Sequence, residues 1–172
     1  MYIIFLKGAT KSLCTYGAFC PGNGLKKPCP PGKFGKEQGK SDDTVCIDCP
    51  VGTYTRLSFS SSCPDRCSPG KFNSIKTGSI SEDEACSTCP KGAYCQSGAA
   101  LLCPKGTYNS ETSQASSNGC KSCGLNKWQN LLGATDLKNC TDCGTDPVTN
   151  QQLTTKTDSA TTKKECELIY FD

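Results

Sequence analysis

Away from its two ends this chain places apolar residues singly or in short groups, and no stretch sustains the 3.6-residue period of an amphipathic helix. What recurs instead is a short word: Cys, two residues, Gly, one residue, an aromatic. It stands at Cys14-Thr-Tyr-Gly17-Ala-Phe19, Cys29-Pro-Pro-Gly32-Lys-Phe34, Cys49-Pro-Val-Gly52-Thr-Tyr54, Cys67-Ser-Pro-Gly70-Lys-Phe72, Cys89-Pro-Lys-Gly92-Ala-Tyr94 and Cys103-Pro-Lys-Gly106-Thr-Tyr108. Cys123-Gly-Leu-Asn126-Lys-Trp128 carries it with Asn for Gly, a replacement suited to a left-handed backbone, and Cys143-Gly-Thr-Asp146-Pro-Val148 is a degenerate eighth copy. The word reads as a turn that launches a strand. Proline presets φ, glycine supplies the turn conformation, and the aromatic begins a β-prone run. The elements it predicts are short β hairpins joined by polar loops such as 109–119, with little helix.

These eight heads are the odd-numbered cysteines, and one further cysteine follows each: Cys20, Cys46, Cys63, Cys86, Cys95, Cys120, Cys140 and Cys166. The economical hypothesis pairs each head with the next cysteine: Cys14–Cys20, Cys29–Cys46, Cys49–Cys63, Cys67–Cys86, Cys89–Cys95, Cys103–Cys120, Cys123–Cys140 and Cys143–Cys166. A second period lies over the first, since offsets of 74 to 80 carry the first eight cysteines onto the second eight. Two tandem eight-cysteine units follow, residues 14–86 and 89–166. An apolar segment, 1–13, precedes them and another, 167–172, ends the chain. Because each loop should touch mainly its neighbours, the expected shape is elongated.

Composition sharpens this picture. Sixteen cysteines in 172 residues, with 35% hydrophobic residues, mark a small disulfide-rich or metal-bound scaffold whose core needs covalent help. The aromatics Phe34, Tyr54, Phe72, Tyr94, Tyr108 and Trp128 are expected to stack on neighbouring disulfides, with a ligand surface as the alternative reading. There is no histidine, which removes the commonest general acid/base and the commonest imidazole ligand. A net charge of +3 with dispersed lysines does not suggest nucleic acid; Lys26-Lys27 and Lys163-Lys164 read as solvated loop charge. No apolar run is long enough for a membrane-spanning helix. Met1 to Leu6 is too short for a signal h-region and lacks a basic lead, so a secretion signal would lie upstream, have been removed, or be missing from the gene model.

Zinc is the chemical competitor. Cys120-x2-Cys123 and Cys140-x2-Cys143 lie 16 residues apart, as in a four-cysteine ribbon, and Cys46-x2-Cys49 and Cys86-x2-Cys89 resemble knuckles. That scheme leaves Cys14, Cys20, Cys29, Cys95, Cys103 and Cys166 without comparable partners, whereas the disulfide scheme uses every cysteine. Redox use of Cys-x2-Cys lacks its βαβ context. No phosphate loop or nucleophile elbow is present. Asp42-Asp43 and Glu82-Asp83-Glu84 read as solvated faces rather than calcium ligands. Neither a catalytic residue nor a cofactor is assigned, and no enzyme is expected. Asn139-Cys140-Thr141 is an N-glycosylation sequon, and 154–162 fits an O-glycan acceptor and a solvated strand equally.

The Cys-Pro-x-Gly-x-aromatic heads and Cys-x2-Cys junctions over 14–143 resemble ephrin-receptor-like cysteine-rich repeats, relatives of growth-factor-receptor and TNF-receptor-like modules. They are also similar to repeats of protist surface antigens and extracellular appendage proteins. The resemblance implies an extracellular, disulfide-laddered rod serving as a spacer, coat or ligand-binding stalk. The short Cys-x5-Cys loops, the degenerate last head and the lack of a recognisable kinase or membrane segment depart from a signalling receptor. Two functions are therefore expected of the chain. One is a secreted or cell-surface structural protein building a coat, stalk or filament, with Met1 to Leu6 and Leu168 to Phe171 as strands for head-to-tail self-association. The other is an adhesive or ligand-binding fragment of a receptor-type ectodomain, held to another extracellular protein or glycan.

Overall fold

A computed structural model of the chain describes residues 3–4, 12–22 and 24–168. Most of Met1 to Leu6, and Ile169 to Phe171, lie outside them. The described residues form nine two-stranded antiparallel sheets, one α-helical turn (Glu82–Ala85) and four 3-10 turns. The protein is a small disulfide-rich fold of β hairpins.

The head word builds one strand of each hairpin. In Cys29-Pro-Pro-Gly32-Lys-Phe34 the Lys33 N–H donates to the Pro30 carbonyl at 3.1 Å, closing a turn with Gly32 at φ 79° in its third position. Lys33–Phe34 then pairs with Ile47–Asp48, the two residues between Cys46 and Cys49. Lys127–Trp128 pairs in the same way with Thr141–Asp142, between Cys140 and Cys143. Thr107–Tyr108 pairs with Lys121–Ser122, between Cys120 and Cys123. The knuckle-like Cys-x2-Cys spacing is thus the length of a return strand. Cross-strand charges follow the register, with Lys33 to Asp48 at 2.7 Å and Lys127 to Asp142 at 2.5 Å. Such exposed pairs contribute at most about 1 kcal/mol each.

The chain divides into two units. The first holds residues 1–67 and 73–87, the second 68–72 and 88–172. The division passes near the Cys86–Cys89 junction but assigns the fourth head's turn to the second unit, for a local reason. The Gly70 N–H donates to Cys95 O at 3.0 Å, and Phe72 packs on the buried Cys89, Ala93 and Cys95.

Within each unit, successive modules (a head, its loop and its closing cysteine) are joined by backbone hydrogen bonds at the head glycine. In the first unit Gly17 donates to Gly35 O and accepts from Cys29 N, both at 2.8 Å. Gly32 donates to Thr55 O at 2.9 Å and accepts from Cys49 N at 2.8 Å. The second unit repeats the arrangement: Gly92 donates to Asn109 O at 2.8 Å and accepts from Cys103 N at 2.9 Å. Gly106 donates to Gln129 O at 2.9 Å and accepts from Cys123 N at 3.0 Å. Gly17, Gly32, Gly92 and Gly106 each therefore spend both backbone groups on the module after them.

Contact also extends one module further, which adjacent-loop reasoning does not anticipate. A Cβ built on Gly92 falls onto the carbonyl oxygen of Gly133, two modules on, far inside contact distance. Gly17 meets Phe59 O in this way, Gly32 meets Gly78 O, Gly70 meets Ser113 O and Gly106 meets Ser159 O. At the seventh head the residue is Asn126, at φ 68°, and its own Cβ occupies the place that an incoming carbonyl takes elsewhere. Cys143 N still donates to Asn126 O at 2.8 Å. Asparagine is tolerated here because the position needs the left-handed backbone but not the close approach.

In the first unit the Ile3–Ile4 backbone pairs with Ser12–Leu13, so that part of the N-terminal segment pairs with its own chain.

Gly92→Ala is expected to destabilise the oxidised protein by about 3 kcal/mol or more, because it meets both the positive φ and the Gly133 carbonyl. Asn126→Ala should cost about 1 kcal/mol or less. Guanidinium unfolding of the two variants measures the difference; equal costs would contradict the close-approach role.

Candidate functional site

The structure joins Cys14 to Cys20, Cys29 to Cys46, Cys49 to Cys63, Cys67 to Cys86, Cys89 to Cys95, Cys103 to Cys120, Cys123 to Cys140 and Cys143 to Cys166. Every cysteine is used, which leaves no thiolate for the ribbon spacing. Among the described residues no group of three or more His, Cys, Asp or Glu side chains converges as metal ligands. No helix among them is long and apolar enough to cross a membrane. Disulfides in this number belong to an oxidising compartment.

The head aromatics are half-buried, and two of them cover the bridge of the next module. Phe19 packs on the Cys29–Val45–Cys46 cluster and Phe72 on Cys89–Ala93–Cys95. The full burial lies one residue on, at Thr55, Asn109 and Gln129, and in the last module at Thr155, each about 1% exposed. These polar side chains are satisfied internally. Asn109 Nδ2 donates to Ala93 O at 2.8 Å, and its Oδ1 accepts from Glu111 N at 2.9 Å. Gln129 Oε1 accepts from Gly106 N at 3.0 Å, and its Nε2 donates to Leu131 O at 2.8 Å. Thr155 Oγ1 donates to Thr157 O at 2.6 Å. The interior is thus built of cystines, small apolar residues such as Ala93 and Ala160, and polar side chains that, Ser79 apart, find partners inside the fold. For Thr55, Asn109 and Gln129 the only sequence signal was position, directly after an aromatic, and residue type varies too much there to flag burial; Thr155 lacks even that signal.

Several carboxylates before closing cysteines turn out to be caps. Glu165 Oε1 accepts from Thr161 N and Thr162 N, each at 3.0 Å. These bonds, the Thr161 N–H first, hold the Glu165 carboxyl below its ordinary value. Glu84 Oε2 accepts from Ile80 N at 3.0 Å and pairs with Lys76 at 3.1 Å, which lowers its pKa likewise. Asp42 is lowered chiefly by the Thr44 hydroxyl and then the Thr44 N–H. Asn139 holds the position in its loop that Glu165 holds in the last: its Oδ1 accepts from Thr135 N at 3.2 Å and Asp136 N at 3.0 Å. The residue is exposed, and attachment of a glycan to Nδ2 would leave that capping oxygen in place.

Two surface features remain. In the first unit a cleft of about 460 Å³ is lined by Phe19, Lys27, Pro28, Pro30, Lys33, Asp43 and Cys46. Nearby, the Lys26 ammonium stands 5.0 Å from the Phe59 ring centre, close enough for a cation–π contact. In the second unit the strand Ala99–Leu102 is exposed at all four residues.

The geometry defines a disulfide-rich protein of tandem β-hairpin modules. Compared with known proteins, the chain matches no family model and is not significantly similar to any curated protein.

Asn109→Ala is expected to cost about 2 kcal/mol, since it leaves the buried Ala93 carbonyl and Glu111 amide without partners. Ser79→Ala should be neutral or stabilising by about 1 kcal/mol: the buried Ser79 Oγ has no partner, and alanine fills the matching site at Ala134 and Ala160. Chemical denaturation of both variants checks the pair, and a costly Ser79→Ala would show that its hydroxyl is in use.

Proposed function

We propose that this chain is a non-catalytic secreted or cell-surface structural protein, a covalently braced segment of an extracellular coat, stalk or filament. The observation that carries the reading is the construction of the modules. Each is closed by its own bridge and tied to the next through backbone groups, so stability comes from many local closures rather than from one apolar core. Such a chain tolerates variable surface side chains, needs no cytosolic partner to fold, and suits an oxidising exterior. The resemblance of the heads to ephrin-receptor-like and TNF-receptor-like repeats points the same way. Self-association through the ends belongs to this proposal. The Ile3–Ile4 strand has one edge paired with Ser12–Leu13, and its other edge is the one a neighbouring copy would use. A glycan on Asn139 would add to the solvated outer surface.

The cleft beside Phe19 favours a second reading, an adhesive or ligand-binding fragment of a receptor-type ectodomain. An aromatic, two prolines, two lysines and Asp43 around one concavity, with Lys33 already paired to Asp48, suit an apolar ligand that carries a polar group near Lys27.

Immunogold labelling of intact, unpermeabilised cells that express the protein tests the first reading. Label should lie on the outer face in a continuous layer or along filaments, and the material should resist extraction until reductant is added. Soluble, monodisperse material with saturable binding to one partner would favour the receptor reading, and intracellular label would exclude both. Asn139→Asp keeps the capping oxygen but destroys the sequon, so loss of glycan mass with unchanged stability would separate the two roles of that residue.

A further inference from the structure

The two units carry the same hairpin after their first bridge, with opposite surface chemistry. In the first unit Ala18–Phe19 pairs with Lys27–Pro28, in the register Ala18↔Pro28 and Phe19↔Lys27. In the second Ala93–Gln96 pairs with Ala99–Leu102, in the register Ala93↔Leu102 and Tyr94↔Leu101. Leu101 therefore stands where the first unit has Lys27, and Leu102 where it has Pro28. A lysine and a proline are the usual means of keeping an edge strand from pairing with another chain. One unit has both and the other has neither.

The second unit's hairpin is also the longer, at four residues a side, and it closes through Ser97 and Gly98 at φ 53° and 79°, a tight two-residue turn. That turn fixes which backbone groups are spent. Gln96 and Ala99 close the loop as a hydrogen-bonded pair, and at the other end of the hairpin Cys103 N donates to Gly92 O at 2.9 Å. The alternation between these ends makes Tyr94 and Leu101 a bonded pair as well. The N–H and C=O groups of Ala100 and Leu102 then point outward, away from the partner strand, and among the described residues the two-stranded sheet ends there. Leu101 is 42% exposed and Leu102 58%. Beside Leu102, on the loop that includes Gly133, Leu131 and Leu132 are exposed at 56% and 60%.

We propose that Ala99–Leu102 is a self-association edge, pairing antiparallel with the same strand of a second copy about a two-fold axis at Leu101. Three complementarities select a second copy as the occupant. In hydrogen bonding, only the register that sets Ala100 opposite the partner's Leu102, and Leu102 opposite the partner's Ala100, uses every outward group of both residues on both chains. In size, that register places a leucine across from an alanine on each side and the two Leu101 side chains against each other. In charge, nothing from Gln96 to Pro104 is ionised, so the strand meets its copy without like charges, whereas the first unit's edge would set Lys27 against Lys27. The contact is isologous and closes at two chains. It does not rest on the structural role proposed above, since an ectodomain fragment could carry the same edge, and a monomeric result would leave that role standing.

Sedimentation equilibrium of the oxidised protein, with Leu101→Lys, Leu101→Glu and Leu102→Pro chains, tests it. The wild-type chain should dimerise, and each variant should dimerise at least about tenfold more weakly. An equimolar mixture of the Leu101→Lys and Leu101→Glu chains should regain a heterodimer, because the two-fold axis sets those side chains opposite one another. Recovery in the mixture also shows that both variants are folded. Leu102→Pro supplies an independent arm, since it repeats the first unit's own residue and removes only an outward N–H. A wild-type chain monomeric up to about 1 mM, variants that dimerise like wild type, or a mixture that stays monomeric would each overturn the proposal. So would a photo-crosslinker at Leu101 joining to 1–6 or 169–172 of the second copy, or to a different protein, instead of to 99–102.

Discussion

Everything in this structure depends on one backbone arrangement, the grip of each module on the glycine of the module before it. At Gly17, Gly32, Gly70, Gly92 and Gly106 the glycine's N–H and C=O are both taken by the next module, as Gly92 is by Asn109 and Cys103. In five heads its bare Cα also lies under a carbonyl from the module after that. These bonds are independent of side-chain identity, so the loops can vary in length and composition while the geometry persists. The disulfides close each module into a shape that presents the grip. Without a large apolar core, the ordering of the chain is offset by many closures and many backbone bonds, each local.

The hairpin, disulfide-rich class of the fold was legible because its signal is covalent and strictly placed: a cysteine, a turn glycine and an aromatic at fixed spacing. The reason for the glycine was only half legible. Positive φ could be inferred from Asn126 standing in the seventh head, but the close approach of Phe59 O to Gly17, or of Ser159 O to Gly106, depends on contacts across two modules that no local word encodes. Burial of Asn109 and Gln129 was hidden for a related reason. Polar residues read as loop, and only the structure supplies the carbonyls and amides that satisfy them. Asp42 and Glu84 read as solvated faces yet cap the turns that deliver the closing cysteines, as Glu165 does in the last module. Contact between adjacent loops is joined by second-neighbour contact at the head glycines.

The surface carries the distinctions that the interior does not. The two units share hairpins and bridges, yet Lys27 and Pro28 guard one edge while Leu101 and Leu102 leave the matching edge bare. The cleft beside Phe19 lies on the guarded hairpin. On the readings proposed above, a duplicated scaffold in which one copy keeps a protected edge and a concavity, and the other an open apolar strand, would divide recognition and association between its halves. That division is compatible with a coat or stalk component and gives each half a separate surface to alter.

The grip on the head glycines is tested most directly by native-state amide exchange of the oxidised protein. The Gly92, Gly106, Cys103 and Cys123 amides should exchange as one slow group, protected by about a thousandfold or more relative to the amide of Gly24, where an added Cβ would meet nothing within 4 Å beyond its chain neighbours. Exchange of the Gly92 and Gly106 amides as fast as that of Gly24, with all eight bridges intact, would contradict the account.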